Sequence, residues 1–106
     1  MIRDADPFTI IGIHNHPNST VPSIDDIEQV WLRKQKYGIV VCHNGNVFKY
    51  RVLGKFDQAF IDIHLDKLNA IIYNKNMLGS EFQSRLDDIL KTLKENNVEM
   101  EVFLWK

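Results

Sequence analysis

The chain has 106 residues, of which 44% are apolar and 25% charged, a balance that excludes a disordered or collagen-like segment and fits one small globular domain. Its net charge of -1 offers no basic field for phosphates, which counts against nucleic-acid binding. No apolar run approaches the roughly 18 to 20 residues that span a bilayer, and the charged start Met1–Pro7 lacks a signal-peptide core. The single cysteine, Cys42, excludes an internal disulfide and fits a reducing, cytoplasmic setting.

Phe8 to Ile13 is short, rich in isoleucine and preceded by a proline, which predicts a buried strand. His14 to Pro22 carries two prolines, two asparagines and a serine, the chemistry of a loop. Ser23 then has the character of a helix N-cap, with Asp25 and Asp26 in the first turn. Ile24, Ile27, Val30 and Trp31 recur at helical spacing, so a helix is expected from about Ile24 to about Lys36, ended by Tyr37-Gly38. Ile39 to Cys42 reads as a second strand and Val47 to Leu53 as its return, joined by a turn holding the pair Asn44-Gly45.

After Gly54 the period becomes helical. Phe56, Phe60, Ile63, Leu68, Ile71 and Ile72 form one apolar stripe, and Phe82, Leu86, Ile89, Leu90 and Leu93 form another, with a break at Asn74 to Ser80. Val98 to Trp105 alternates and predicts a last strand.

The unusual residues lie at His14-Asn15-His16-Pro17 and Ser23-Ile24-Asp25-Asp26. Two histidines at i and i+2 on extended backbone point to the same side, so both imidazoles can meet one ion. Asp26, third in the expected helix, points back toward the helix N-terminus, where the dipole favours an anion. Two nitrogens and one oxygen are the donor set of a catalytic zinc, which keeps its fourth position for water. Ser23 stands beside them with a hydroxyl able to donate to a developing oxyanion.

These residues resemble the His-x-His-Pro and Ser-x-x-Asp motifs of the JAMM/MPN+ metallopeptidases. The wording HNHP and PSIDDI is most similar to bacterial branches of that family, the RadC-type proteins and the JAMM-like domains of phage and mobile elements. The resemblance implies that His14, His16 and Asp26 bind zinc and that Ser23 helps to stabilise a tetrahedral intermediate. It implies a peptide or protein substrate cleaved at a peptide or isopeptide bond. The fold it implies is α/β, a small mixed β-sheet flanked by helices, of the JAMM (cytidine-deaminase-like) type. Residues 1–54 would form the metal-binding core and residues 55–106 a helical extension of the same domain.

The sequence departs from that pattern twice. Five residues separate Pro17 from Ser23, one fewer than the family's usual spacing, which a loop can absorb. The family also uses a glutamate on an earlier strand as general base, and none of the 13 residues before His14 is glutamate. Asp4 and Asp6 are the acids there, and their shorter side chains make poor substitutes. The family's opening helix and strands are absent as well. A fragment of a longer protein, a glutamate supplied by a partner, or a non-catalytic interaction or structural module would each account for this, and the fragment is the preferred expectation because an absent strand leaves a sheet edge exposed.

The remaining chemistry-bearing residues have structural readings. Ser23 and Asp26 alone would be a capping box. His43 is expected to be a solvated turn residue, His64 a boundary residue on a helix that could pair with a carboxylate, Cys42 a small buried hydrophobe, and Trp31 part of the core.

Overall fold

The computed structural model describes residues 11–16, 20–74 and 79–105. They form a small α/β domain with a four-stranded mixed sheet and three helices. The strands are β1 (Ile11–His16), β2 (Tyr37–Cys42), β3 (Val47–Val52) and β4 (Val98–Phe103), and the helices α1 (Ile24–Leu32), α2 (Gln58–Ile72) and α3 (Gly79–Glu95). The strand order is β1-β2-β3-β4, with β1 parallel to β2 and the other pairs antiparallel. Parallel neighbours need a crossover, and α1 lies in the connection between β1 and β2.

Alternation along each strand decides which face is covered. Gly12, His14 and His16 are in register with Gly38, Val40 and Cys42. That row continues through Phe48, Tyr50 and Met100 and is the buried face of the sheet. Ile27 and Val30 of α1, Ile61, Leu65 and Leu68 of α2, and Leu86, Ile89 and Leu93 of α3 complete one core with it. Full burial of each of these large side chains contributes about 1.5–3 kcal/mol. Tyr50 fits because its register partner is Gly38: a Cβ there would lie 2.5 Å from ring carbons Cε2 and Cζ.

Among the described residues the opposite face is open. It shows Ile11, Ile13, Val41 and Phe103 together with Lys49, Arg51, Glu99 and Glu101. Lys49 covers its stem with the Tyr37 ring, its ammonium 4.3 Å from the ring centre. No helix among the described residues is long and apolar enough to cross a membrane.

Several expected boundaries shift. β1 includes His14 to His16, which the loop chemistry had assigned to the connection, and the expected start at Phe8 lies outside the described residues. Helix α1 stops at Leu32, not Lys36, and Tyr37-Gly38 opens β2 instead of ending the helix. The stop uses Arg33 as C-cap and a left-handed Lys34 at φ 50°, with no glycine to announce it. The hairpin turn has three residues, His43 to Gly45, with Gly45 at φ 95° and its N–H bonded to the Cys42 carbonyl. That is a type I turn closed by a left-handed glycine rather than a two-residue turn. In α2 the buried stripe is Ile61, Leu65, Leu68 and Ile71, and Ile63 is exposed, two residues and about 200° around the helix from Ile61. β4 ends at Phe103, and Trp105 lies beyond it, exposed.

Candidate metal centre

A strand that feeds a parallel crossover delivers its C-terminal end to the N-terminus of the following helix, the usual place for a ligand in α/β sheets. Here that juxtaposition sets His14 and His16, on the covered face at the end of β1, against Asp26 in the first turn of α1. Asp26 Oδ2 lies 3.0 Å from His16 Nε2, and Asp26 Oδ1 lies 4.0 Å from His14 Nδ1. His14 is 38% exposed, whereas His16 at 18% and Asp26 at 13% are largely covered, so the three open to solvent on the His14 side.

Ser23 and Asp26 form a complete capping box. The Asp26 N–H donates to Ser23 Oγ at 3.2 Å, and the Ser23 N–H donates to Asp26 Oδ2 at 2.9 Å. The structural reading of these two residues therefore holds, and it also fixes the carboxylate that faces the histidines. The Ser23 hydroxyl accepts in this bond and keeps its own proton free to donate.

His16 is held from behind. Its Nδ1 lies 3.2 Å from the Thr20 carbonyl oxygen and 3.4 Å from Thr20 Oγ1. A proton on Nδ1 donates to the carbonyl and turns a lone pair of Nε2 toward Asp26 Oδ2 at 3.0 Å, two acceptors that need a cation between them. A proton on Nε2 donates to Asp26 Oδ2 directly and leaves Nδ1 to accept from the Thr20 hydroxyl.

Tetrahedral zinc with bonds of about 2.0–2.2 Å sets its donors about 3.3–3.6 Å apart. The two observed contacts run to different Asp26 oxygens, one shorter than that range at 3.0 Å and one longer at 4.0 Å. As they stand, no three His, Cys, Asp or Glu side chains among the described residues form a finished metal cluster. The donor chemistry and the backing of His16 fit zinc, with the His14 contact about half an ångström too long.

The surroundings are conservative. Cys42, in register with His16, is buried, and burial pushes its thiol up, so it remains an S–H donor; it bonds to the Thr20 carbonyl at 3.4 Å. Burial, and then the Asp26 charge, push the Tyr50 phenol far up; its hydroxyl is buried without a partner among the described residues. Among the described residues His64 pairs with no carboxylate; its Nδ1 bonds the Phe60 carbonyl at 2.8 Å and its ring stacks on Phe60. His43 is exposed in the turn, as expected, and Trp31 packs half-buried against the core. A groove of about 360 Å³ lies on the sheet's open face, lined by Lys36, Tyr37, Lys49 and Glu101 among others, away from His14, His16 and Asp26.

Comparison assigns no family: no family model matches the chain, and no curated protein or solved structure does. The site therefore rests on its own geometry. Thr20, Cys42 and Asn69, which accepts the Val21 N–H at 3.2 Å, are parts of it that the motif reading missed. One signal was present: Asn69 is a lone polar residue beside Leu65, Leu68 and Ile72 on the covered side of α2.

Proposed function

We propose that the chain is a zinc-binding hydrolase domain of JAMM-like type that cleaves peptide or isopeptide bonds, with His14, His16 and Asp26 as ligands. The observation that carries this reading is the convergence of both histidines on one carboxylate, His16 Nε2 at 3.0 Å and His14 Nδ1 at 4.0 Å from the Asp26 oxygens, with the other His16 ring nitrogen beside a backbone carbonyl. A ligating histidine is commonly held that way. When bound, zinc supplies a Lewis acid and draws the pKa of a water toward about 7.

The chain's own residues would do the rest. Asp26 neutralises part of the ion's charge while the capping box keeps it from turning away. His16 is oriented by Thr20, and the exposed side of His14 leaves an approach for an extended substrate. Ser23, with its hydroxyl proton free, donates to the oxygen of the carbonyl under attack. Among the described residues no second carboxylate pairs with either histidine, and Asp4 and Asp6 lie outside them. On this reading the general base is a glutamate that comes to the site from another segment or a partner chain.

A second reading has its own support. The capping box gives Ser23 and Asp26 a complete structural duty, and a proton on His16 would satisfy Asp26 as well as a metal would. The domain would then be a non-catalytic interaction module. Zinc content measured after metal-free preparation and titration decides between them. One equivalent bound by the wild type and lost in His14→Ala and His16→Ala supports the zinc site, and no binding at micromolar zinc leaves the structural module. Amide cleavage on adding a glutamate-bearing segment then tests the hydrolase itself.

A further inference from the structure

We infer that Asn69, 53 positions beyond His16 on α2, is a positioning residue for that histidine. The connection is one peptide group. The Val21 N–H donates to Asn69 Oδ1 at 3.2 Å, and the Thr20 carbonyl, the other end of the same peptide unit, lies 3.2 Å from His16 Nδ1 and accepts from Cys42 Sγ. A peptide unit is planar, with its N–H and C=O pointing opposite ways. Fixing one end fixes the other. Asn69 thus sets the direction of the oxygen that holds the His16 ring and selects its Nδ1–H tautomer, and hydrogen bonds at both ends of the amide polarise one another.

The elements around this peptide make the aim specific. Val21 is buried, so its N–H has no water to turn to, and Asn69 is half-buried between the loop and the core side of α2. Cys42 comes from β2, the strand paired with β1, so β1 and β2 meet the carbonyl and α2 the N–H of one peptide group. Without Asn69 the Thr20–Val21 peptide is free to rotate and His16 loses the bond that presents Nε2 to Asp26. The relay has a functional meaning only on the zinc reading proposed above, but the tautomer is a property of the protein alone.

The test therefore has two arms. In the first, nitrogen-15 NMR of the metal-free protein in alkaline buffer reads the His16 tautomer. The wild type and Asn69→Asp, which keeps an oxygen acceptor, show the Nδ1–H form, and Asn69→Ala shows a mixture. An Nε2–H tautomer in the wild type, or an unchanged one in Asn69→Ala, overturns the relay. In the second, zinc affinity falls about 10- to 100-fold in Asn69→Ala and is restored within a few-fold in Asn69→Asp. Leu93→Val, a core change on α3 away from the site, lowers thermal stability and leaves zinc affinity where it was. Equal affinity in wild type and Asn69→Ala also overturns the relay. If the wild type binds no zinc, the zinc reading falls and the NMR arm alone decides the relay; if Asn69→Ala does not fold, Asn69→Leu, of similar size and without an acceptor, takes its place in both arms.

Discussion

Replacing Asp26 separates its duties. In Asp26→Ala the Ser23 N–H loses its 2.9 Å partner, but Ser23 is exposed and water substitutes, so the loss is about 0.5–1 kcal/mol. Removing an anion from the first turn of α1 costs about 0.3–1 kcal/mol more. With the His16 proton on Nδ1 the Nε2–Oδ2 contact of two acceptors is relieved at the same time, so on the zinc reading the metal-free protein should lose only about 1 kcal/mol. Ser23→Ala removes the bond to the Asp26 N–H and should lose a similar amount, about 1 kcal/mol. Zinc at 100 times its dissociation constant adds about 2.7 kcal/mol to a protein that binds it, which raises Tm by about 10 °C or more in a domain of this size.

Differential scanning calorimetry with and without zinc should therefore find the zinc increment intact in Ser23→Ala and abolished in Asp26→Ala. Asp26→Asn is the sharper variant. The same oxygen, Oδ2, takes the Ser23 N–H and faces His16 Nε2, so the amide oxygen keeps the Ser23 N–H in that place and the metal-free protein should stay within about 1 kcal/mol of wild type while zinc has no effect. The reasoning is refuted by a zinc increment that survives Asp26→Ala, or by an Asp26→Asn protein more than about 1 kcal/mol less stable than wild type without metal.

Three further outcomes follow from the same packing. Tyr50→Phe deletes a buried hydroxyl without a partner and should be neutral or stabilising in urea denaturation, whereas Gly38→Ala drives a methyl into the Tyr50 ring and should cost about 1–3 kcal/mol. The 2.6 Å bond from Arg51 holds the Glu99 carboxyl below its ordinary range, with burial opposing and the Arg51 and Lys94 charges assisting. Its contribution is thus present above the unfolded value of 4.5 and lost as pH falls through the lower folded value. With Arg51 about half exposed, the stability gap between wild type and Glu99→Gln should be no more than about 0.5–1 kcal/mol at neutral pH and should close in acid. Cys42, buried with its thiol held protonated, should react with a disulfide reagent only as fast as the protein opens, and labelling faster than hydrogen exchange of β2 would contradict its burial.

What the sequence showed and hid follows from range. The strands, the capping box and the two long helices are written in local periods, and His14, His16 and Asp26 lie close enough in the chain for a short motif to bring them together. The early end of α1 was hidden because Arg33-Lys34-Gln35-Lys36 contains neither glycine nor proline, and a lysine takes the left-handed position. Ile63 was misread because isoleucine counts as apolar on either side of a helix, and only packing says which side is covered. Asn69 was hidden for a different reason. Its partner Val21 lies 48 residues away, and no periodic pattern carries a contact of that separation.

That separation bears on how the second half of the chain should be regarded. On period alone residues 55–106 are a helical prop for a site built elsewhere. In the structure β4 pairs along all six residues of β3, Leu93 is wholly buried in the shared core, and Asn69 grips the loop that joins the two ligand-bearing elements. A capping box alone would fix Asp26 but leave His16 to choose between two tautomers, one offering Asp26 a proton and the other a lone pair. The Thr20 carbonyl, 3.2 Å from Nδ1, suits the tautomer that turns a lone pair toward Asp26, and the Thr20 hydroxyl at 3.4 Å suits the other. The carbonyl belongs to the peptide group that Asn69 holds, so a residue of α2, in the part of the chain where no motif was visible, takes a share in setting how His16 meets Asp26.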